Sequence, residues 1–335
     1  EAAVADSSGR ERAERLLELA EAVRDEAPAR ASELAGEALA VAYIGHDAGL
    51  SARAEYLAGE LALAGERFPA AAAHFEAARQ GFAETGDDGE RMRALRRLGD
   101  AEYRLAQFDL ALGHFTAALE LARALTEAGD DGFRVHQAHL ATMVGNVFYK
   151  LEDRPRALAY YQQALAIYRE RGEELAVAGT SLNVGNLEQE EGRLAAALAA
   201  FEQAREVAAR ADNDYLQEIA LANMASVLIE LGRLDEAQAA IAAADEICRR
   251  TGRELGRLHL LLLLGRLHME RSQPAAAATA SREAVDLATR LESRDQLADA
   301  LLALADALEE LARPAEAVDA LRRHLEVQRE VANRE

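Results

Sequence analysis

The chain has 335 residues, half of them apolar, enough to bury a large core in one domain or several. Only 5% are aromatic, none is Trp, and Ala, Leu, Glu and Arg are abundant, a composition that suits thin helices closely stacked. A formal net charge of −21 and a pI near 4.9 repel a nucleic-acid backbone or an anionic lipid on average, so neither is an expected partner.

Cys248 is the only cysteine, which excludes an intrachain disulfide and a thiolate metal cluster and fits a reduced, cytoplasmic setting. Wholly apolar runs, among them Leu260 to Leu264 and the longer Leu194 to Phe201, fall far short of the roughly 20 residues that cross a bilayer. The N-terminus lacks a basic, then apolar, signal pattern. Lys150 is the only lysine, an arginine bias that points to GC-rich, bacterial coding. The first residue is Glu1 and not Met, so the expectation is a piece of a longer chain.

Taken from the N-terminus, alanine recurs at Ala31, Ala71, Ala111, Ala157, Ala197, Ala237, Ala277 and Ala317, a step of 40 residues broken once by 46. Seven residues after each stands a second small residue, Ala38, Ala78, Ala118, Ala164, Ala204, Ala244 and Ala284, with His324 the exception. Between them lies a larger side chain in most copies: Phe75, Phe115, Tyr161, Phe201, Ile241 and Leu321, with Ala35 and Ser281 as weak members. Twelve residues before each first alanine is another small position, Gly59, Gly99, Gly145, Gly185, Ala225, Gly265 and Ala305, where the first copy has Leu19.

Spacings of four, three and seven put Ala197, Phe201 and Ala204 on one helical face. Glycine or alanine at a crossing lets two axes approach, and the aromatic is expected to fill the space left between adjacent repeats.

This pattern resembles the tetratricopeptide repeat, with its small residue on helix A and its Ala, aromatic and Ala on helix B. The likeness runs from about Arg10 to about Glu330 in eight copies. The usual repeat is about 34 residues, so the extra length implies longer helices or turns. The implied fold is all-α, a right-handed superhelical solenoid of about eight hairpins over residues 1–335. Turns are expected at Gly45-His46-Asp47, Gly86-Asp87-Asp88, Gly129-Asp130-Asp131, Gly172-Glu173-Glu174, Glu191-Gly192-Arg193 and Gly252-Arg253, with glycine left-handed at the helix end and acids at the next N-terminus. The Gly-Asp-Asp-Gly pairs, Gly86 to Gly89 and Gly129 to Gly132, fit this capping and lack the 12-residue ligand pattern of a calcium loop. The 46-residue step places an insertion around Leu125 to Gln137, a longer turn or an extra helical turn.

Chemistry is sparse. His136 and His139 stand three apart on one helix face, but no third ligand is evident, and no HExxH, GxxxxGK[ST], GxSxG or GxGxxG element occurs. No catalytic residue, metal ligand or cofactor is therefore assigned, and the chain is expected not to be an enzyme.

The resemblance puts function in the groove lined by the A helices. Residues one turn apart around the small positions give Arg93, Arg96, Asp100, Tyr103 and Arg104 in the third copy, then His139, Thr142, Asn146, Tyr149 and Lys150, then Leu182, Asn183, Asn186 and Gln189. Later copies turn more apolar at Ile219, Ile229, His259, Leu262 and Met269, and the last is acidic at Asp299, Asp306, Glu309 and Glu310. The expected peptide-binding set is Arg93, Arg96, Tyr103, Arg104, His139, Asn146, Tyr149, Lys150, Asn183 and Asn186; asparagine amides suit an extended peptide backbone. Chaperone-binding members of the family clamp a carboxylate with lysine, asparagine and further cations. Here those places read Thr142, Asn146, Asn183, Ala222 and Ser226, so the asparagines match and the cations are missing.

The expected role is a protein- or peptide-binding scaffold. Long-repeat arrays of this kind resemble the regulatory N-terminal regions of bacterial signalling proteins, ahead of diguanylate cyclase, histidine kinase or adenylate cyclase output domains. The alternative is a free-standing regulator that binds a signalling oligopeptide, or part of a transcription activator. A homodimer is compatible with either. In the last copy the stripe Leu321, Leu325, Gln328 and Val331 has no stop signal, so residues 315–335 are expected to form a terminal helix leading to an output domain.

Overall fold

The computed structural model describes residues 9–332, all-helical but for short turns, with no strand among them. The expected array of residues 1–335 thus has residues 1–8 and 333–335 outside the described part. The chain divides into two compact units that meet in sequence between Arg171 and Gly172.

The first unit contains α1 (Gly9–Val23), α2 (Pro28–Ile44), α3 (Ala48–Ala64), α4 (Phe68–Thr85), α5 (Asp88–Arg104), α6 (Phe108–Glu127), α7 (Arg134–Lys150) and α8 (Arg154–Arg171). The second contains α9 (Glu174–Glu190), α10 (Leu194–Arg210), α11 (Asp214–Glu230), α12 (Leu234–Thr251), α13 (Glu254–Glu270), α14 (Pro274–Arg290), α15 (Arg294–Glu310) and α16 (Pro314–Ala332). Odd-numbered helices are the A helices and even-numbered ones the B helices. Within each unit every A helix packs on its own B helix and every B helix on the next A helix; α1 also touches α3, and α9, α11, α13 and α15 touch in succession.

The small positions set how closely the helices approach. A Cβ added to Gly59, Gly99, Gly145 or Gly185 would lie 2.3–2.7 Å from the ring of Phe75, Phe115, Tyr161 or Phe201. Each ring therefore rests on the glycine of its own hairpin. The ring also reaches the next repeat, as expected: Phe75 clusters with Leu98 and Ala101 of α5. Ala31, Ala71, Ala111, Ala157, Ala197 and Ala237 are all fully buried. His324, the odd member of its series, is also buried, and its Nδ1 donates to the Ala298 carbonyl at 2.8 Å.

The turns show a stricter rule than the sequence revealed. A left-handed residue occurs between B and A helices at His46, Gly86, Gly129, Gly172, Asp212, Gly252 and Glu292. Another occurs inside the hairpins at Glu66, Ala106, Glu152, Gly192, Gly232, Ser272 and Ala312. Gly45, expected to be left-handed, has φ −76, and His46 takes the strained conformation instead. Many of these positions are not glycine, so the tertiary packing imposes the turn against intrinsic preference.

Asp47, Asp87 and Asn213 cap helices by accepting from the backbone amides of Leu50, Glu90 and Leu216. Asp130 likewise accepts from Gly132 N. The insertion takes both expected forms: α6 runs 20 residues, and a 3-10 turn, Asp131–Phe133, precedes α7. Arg171 holds that turn by donating to the Asp131 carboxylate at 2.6 Å.

Candidate functional site

In the first unit, two cavities open on the A-helix face. The smaller, about 400 Å³, is lined by Leu63 of α3, Phe68 at the start of α4, Arg97, Asp100, Tyr103 and Arg104 of α5, Phe115 of α6, and Met143 and Asn146 of α7. The larger, about 770 Å³, is lined from α1, α3 and α5 by residues that include Arg53, Tyr56, Glu60, Glu90 and Arg93. Glu60 lines one and Arg97 the other, and the two are joined by an ion pair at 2.6 Å.

The spacing of α5 explains the arrangement. Residues three and four apart share a face, so Arg93, Arg96, Arg97, Asp100, Tyr103 and Arg104 form one ridge, while Ala94, Leu98 and Ala101 are buried in the core. Charges on this ridge are mostly compensated. Arg93 donates to Glu90 at 2.5 Å, Arg96 to Asp100 at 3.4 Å, and Arg97 to both Glu60 and Asp100. Burial pushes the Asp100 carboxyl above its usual range, against the pull of Arg96 and Arg97. Burial also raises the Tyr103 phenol.

His139, one turn before Met143, is partly buried. Desolvation, and then the charge of Arg96, hold its pKa down at about 4, so its ring is neutral at neutral pH. His136 is lowered for the same two kinds of reason, with Arg93 and Arg96 as its cationic neighbours. Tyr161, at the aromatic position of the fourth copy, donates its hydroxyl to Asn146 Oδ1 at 2.9 Å. A core residue thus orients a groove residue.

Of the expected binding set, Tyr103, Arg104 and Asn146 line the smaller cavity and Arg93 the larger. Arg96 and His139 sit beside them on α5 and α7. Tyr149 is partly buried, and Lys150 is exposed at the end of α7. Asn183 and Asn186 lie on α9 in the second unit, where Asn223 donates to Asn186 Oδ1 at 3.1 Å and Gln189 donates to Ser226 and Glu230. Thr142, Leu182 and Ile229, also expected in the groove, are buried instead, and the Thr142 hydroxyl donates to the Ala138 carbonyl of its own helix. Sequence reasoning missed Leu63, Phe68, Phe115 and Met143. Phe68 had a signal, since Phe108 stands 40 residues later at the same helix start and packs edge-on against Tyr103 at 5.5 Å.

Among the described residues the second unit buries two carboxylates, Glu188 and, more deeply, Glu218. Glu218 on α11 is 3% exposed and accepts from Arg253 Nε at 3.0 Å, and the Arg253 guanidinium lies 4.2 Å from the Tyr215 ring centroid. Arg253 thus bonds across two hairpins, a role its place in a turn did not reveal. Burial, then the Glu218 charge, pushes the adjoining Cys248 thiol up to about 11, which keeps it protonated. No described helix is long and apolar enough to cross a membrane.

Two tetratricopeptide-repeat models match the chain, one over residues 90–170 and one over residues 219–251. These spans cover the walls of the smaller cavity on α5 to α7 and the α11–α12 hairpin. Those two stretches are tetratricopeptide repeats. No curated protein matches it.

Several solved structures share the tetratricopeptide architecture. The apo form of the quorum sensor NprR from B. thuringiensis is 17% identical with a TM-score of 0.71, over 95% of this chain and 87% of that one. Aspartyl phosphate phosphatase F from Bacillus subtilis is 17% identical with a TM-score of 0.65, over 94% and 79%. The Rap conjugation gene regulator of the plasmid pLS20, in complex with the Phr* peptide, is 16% identical with a TM-score of 0.57, over 87% and 77%. At these identities the likeness is one of fold.

Proposed function

We propose that the chain is a non-catalytic scaffold that holds a peptide along the A-helix face of its first unit. The observation that carries this reading is the pair of neighbouring cavities on that face, lined by Arg, Asp, Tyr and Asn side chains from successive A helices. Apolar floors with a few convergent polar groups are the usual make-up of a binding site. Asparagine supplies both a donor and an acceptor to a peptide backbone, and Asn146 is oriented in advance by Tyr161.

The finer reading is the regulatory region of a bacterial signalling protein, with α16 leading to an output domain. Val318, Leu321 and Leu325 are exposed along that helix, consistent with a further packing partner. A free-standing regulator of a signalling oligopeptide is supported by a different observation, the likeness to a Rap protein solved with the Phr* peptide.

The test is retention of synthetic hexapeptides on the immobilised chain, identified by mass spectrometry and compared with a Tyr103→Ala/Asn146→Ala variant. The expected result is a set of peptides held by the native chain and lost from the variant. Retention by neither, or equally by both, removes the site from the first unit.

A further inference from the structure

We infer that the smaller cavity of the first unit selects a carboxylate next to an apolar side chain, and that Arg104 is the residue that makes the selection. The inference rests on the peptide-holding reading and narrows it to a ligand chemistry.

The cavity has an apolar floor, Leu63, Phe115 and Met143, and two aromatic walls, Phe68 and Tyr103. Its volume of about 400 Å³ accommodates one large side chain and the backbone that carries it. Such a lining favours an apolar residue through the area removed from water.

The charges decide what stands beside that residue. Arg97 is engaged by Glu60 at 2.6 Å and by Asp100 at 3.5 Å. Asp100 is in turn balanced by Arg96 and Arg97. Neither has a charge to spare for a ligand. Arg104 differs: it is exposed, makes no ion pair among the described residues, and lies over the Phe68 ring with its guanidinium carbon 5.1 Å from the centroid. Stacking occupies the face of a guanidinium and leaves its in-plane N–H fork available, the geometry that meets a carboxylate in bidentate fashion. Three cations, Arg96, Arg97 and Arg104, face two anions, Glu60 and Asp100, so this corner is cationic in a chain of net charge −21. The surplus of a single charge matches a carboxylate, whereas a phosphate monoester brings close to two negative charges at neutral pH.

The carboxylate can be a peptide's C-terminus or an Asp or Glu side chain. An array of hexapeptides randomised around one Phe separates these sources. In one arm Phe is the last residue, as free acid or amide, and in the other Phe is followed by Glu or Gln in amidated peptides. The native chain should bind the free acid over the amide, or the Glu set over the Gln set, and the arm that shows the difference names the source. Arg104→Gln should lower binding of the preferred set roughly 10- to 100-fold and erase the preference, with unchanged helicity by circular dichroism. Arg104→Lys, which keeps the charge but not the fork, should recover part of it. Peptide binding without a carboxylate preference, or a preference that survives in Arg104→Gln, overturns this inference and leaves the peptide reading standing. An array on which the native chain binds nothing overturns both.

Discussion

A Cβ placed on Gly185 would lie 2.3 Å from Cε1 of Phe201, so these two residues together set the approach of α9 to α10. The pairing holds in three more hairpins, and in two others the two sizes move together. Ala225 faces the smaller Ile241 in sequence register, and in the first hairpin the sizes are exchanged, with Leu19 on α1 and Ala35 on α2 packed into one cluster. What most hairpins keep is a filled volume, as close packing requires; the seventh, with Gly265 beside Ser281, and the last, with Leu321 exposed, depart from it.

The first prediction contrasts two glycines of α9. Gly185→Ala should destabilise by about 1–3 kcal/mol, because the ring of Phe201 has no room to retreat. Gly179→Ala, with nothing within 4 Å of the added carbon, should instead stabilise by about 0.5–1 kcal/mol through helix propensity. Urea melts of both variants check this, and the same sign for both would refute the packing account.

The repeat period, the all-helical class, the small and large positions and the site of the insertion were legible in the sequence, because each is a local pattern with a fixed step. The left-handed residues His46, Glu66 and Ala106 were not, since their conformation is imposed by the packing of neighbouring helices and carries no residue-type signal. In the site, Tyr103, Arg104 and Asn146 were found by helical spacing on the A helices. Phe68 was missed because it belongs to the first residue of a B helix and reaches the cavity only through the hairpin turn. The pairing of Arg93 and Arg96 with nearby carboxylates was also hidden. Spacing shows which charges share a face, not which neutralise each other.

Arg253 provides a second prediction. It neutralises Glu218, which is 3% exposed, so Arg253→Ala leaves a buried carboxylate without its partner. The loss should be about 1–3 kcal/mol in urea melts. Glu218→Gln combined with Arg253→Ala should recover part of it, since a neutral amide is cheaper to bury. A neutral effect of the single variant would show that water reaches Glu218.

The third prediction concerns pH. His139 has a folded pKa of about 4, below the ordinary value of 6.5. Between those values the unfolded chain binds a proton that the folded chain does not, so stability falls as pH drops from about 6.5 towards 4 and is fully present above that window. His139→Gln removes this contribution and should flatten the decline of the melting temperature over that range. The groups that face it, Arg96, Arg97 and His136, remain in both proteins. Identical slopes for the two would mean that His139 titrates normally.

The last prediction tests whether the core orients the site. Tyr161 is 2% exposed and fills the place held by Phe75, Phe115 and Phe201 in other hairpins, so Tyr161→Phe keeps the ring packed against Gly145 and removes only the hydroxyl. Its loss should cost about 0.5–1.5 kcal/mol, the net worth of one hydrogen bond. Asn146→Ala should cost about 0.5–1.5 kcal/mol as well, because it removes the acceptor to which the Tyr161 hydroxyl donates. In the double variant the shared hydrogen bond is lost only once, so the combined cost should fall short of the sum by about 0.5–1.5 kcal/mol. Peptide retention supplies the functional half of the cycle: Tyr161→Phe touches neither cavity, yet it should weaken retention by releasing the Asn146 amide from its fixed orientation. Additive melts together with unchanged retention would show that Asn146 is oriented by its own helix and that the core plays no part in shaping the site.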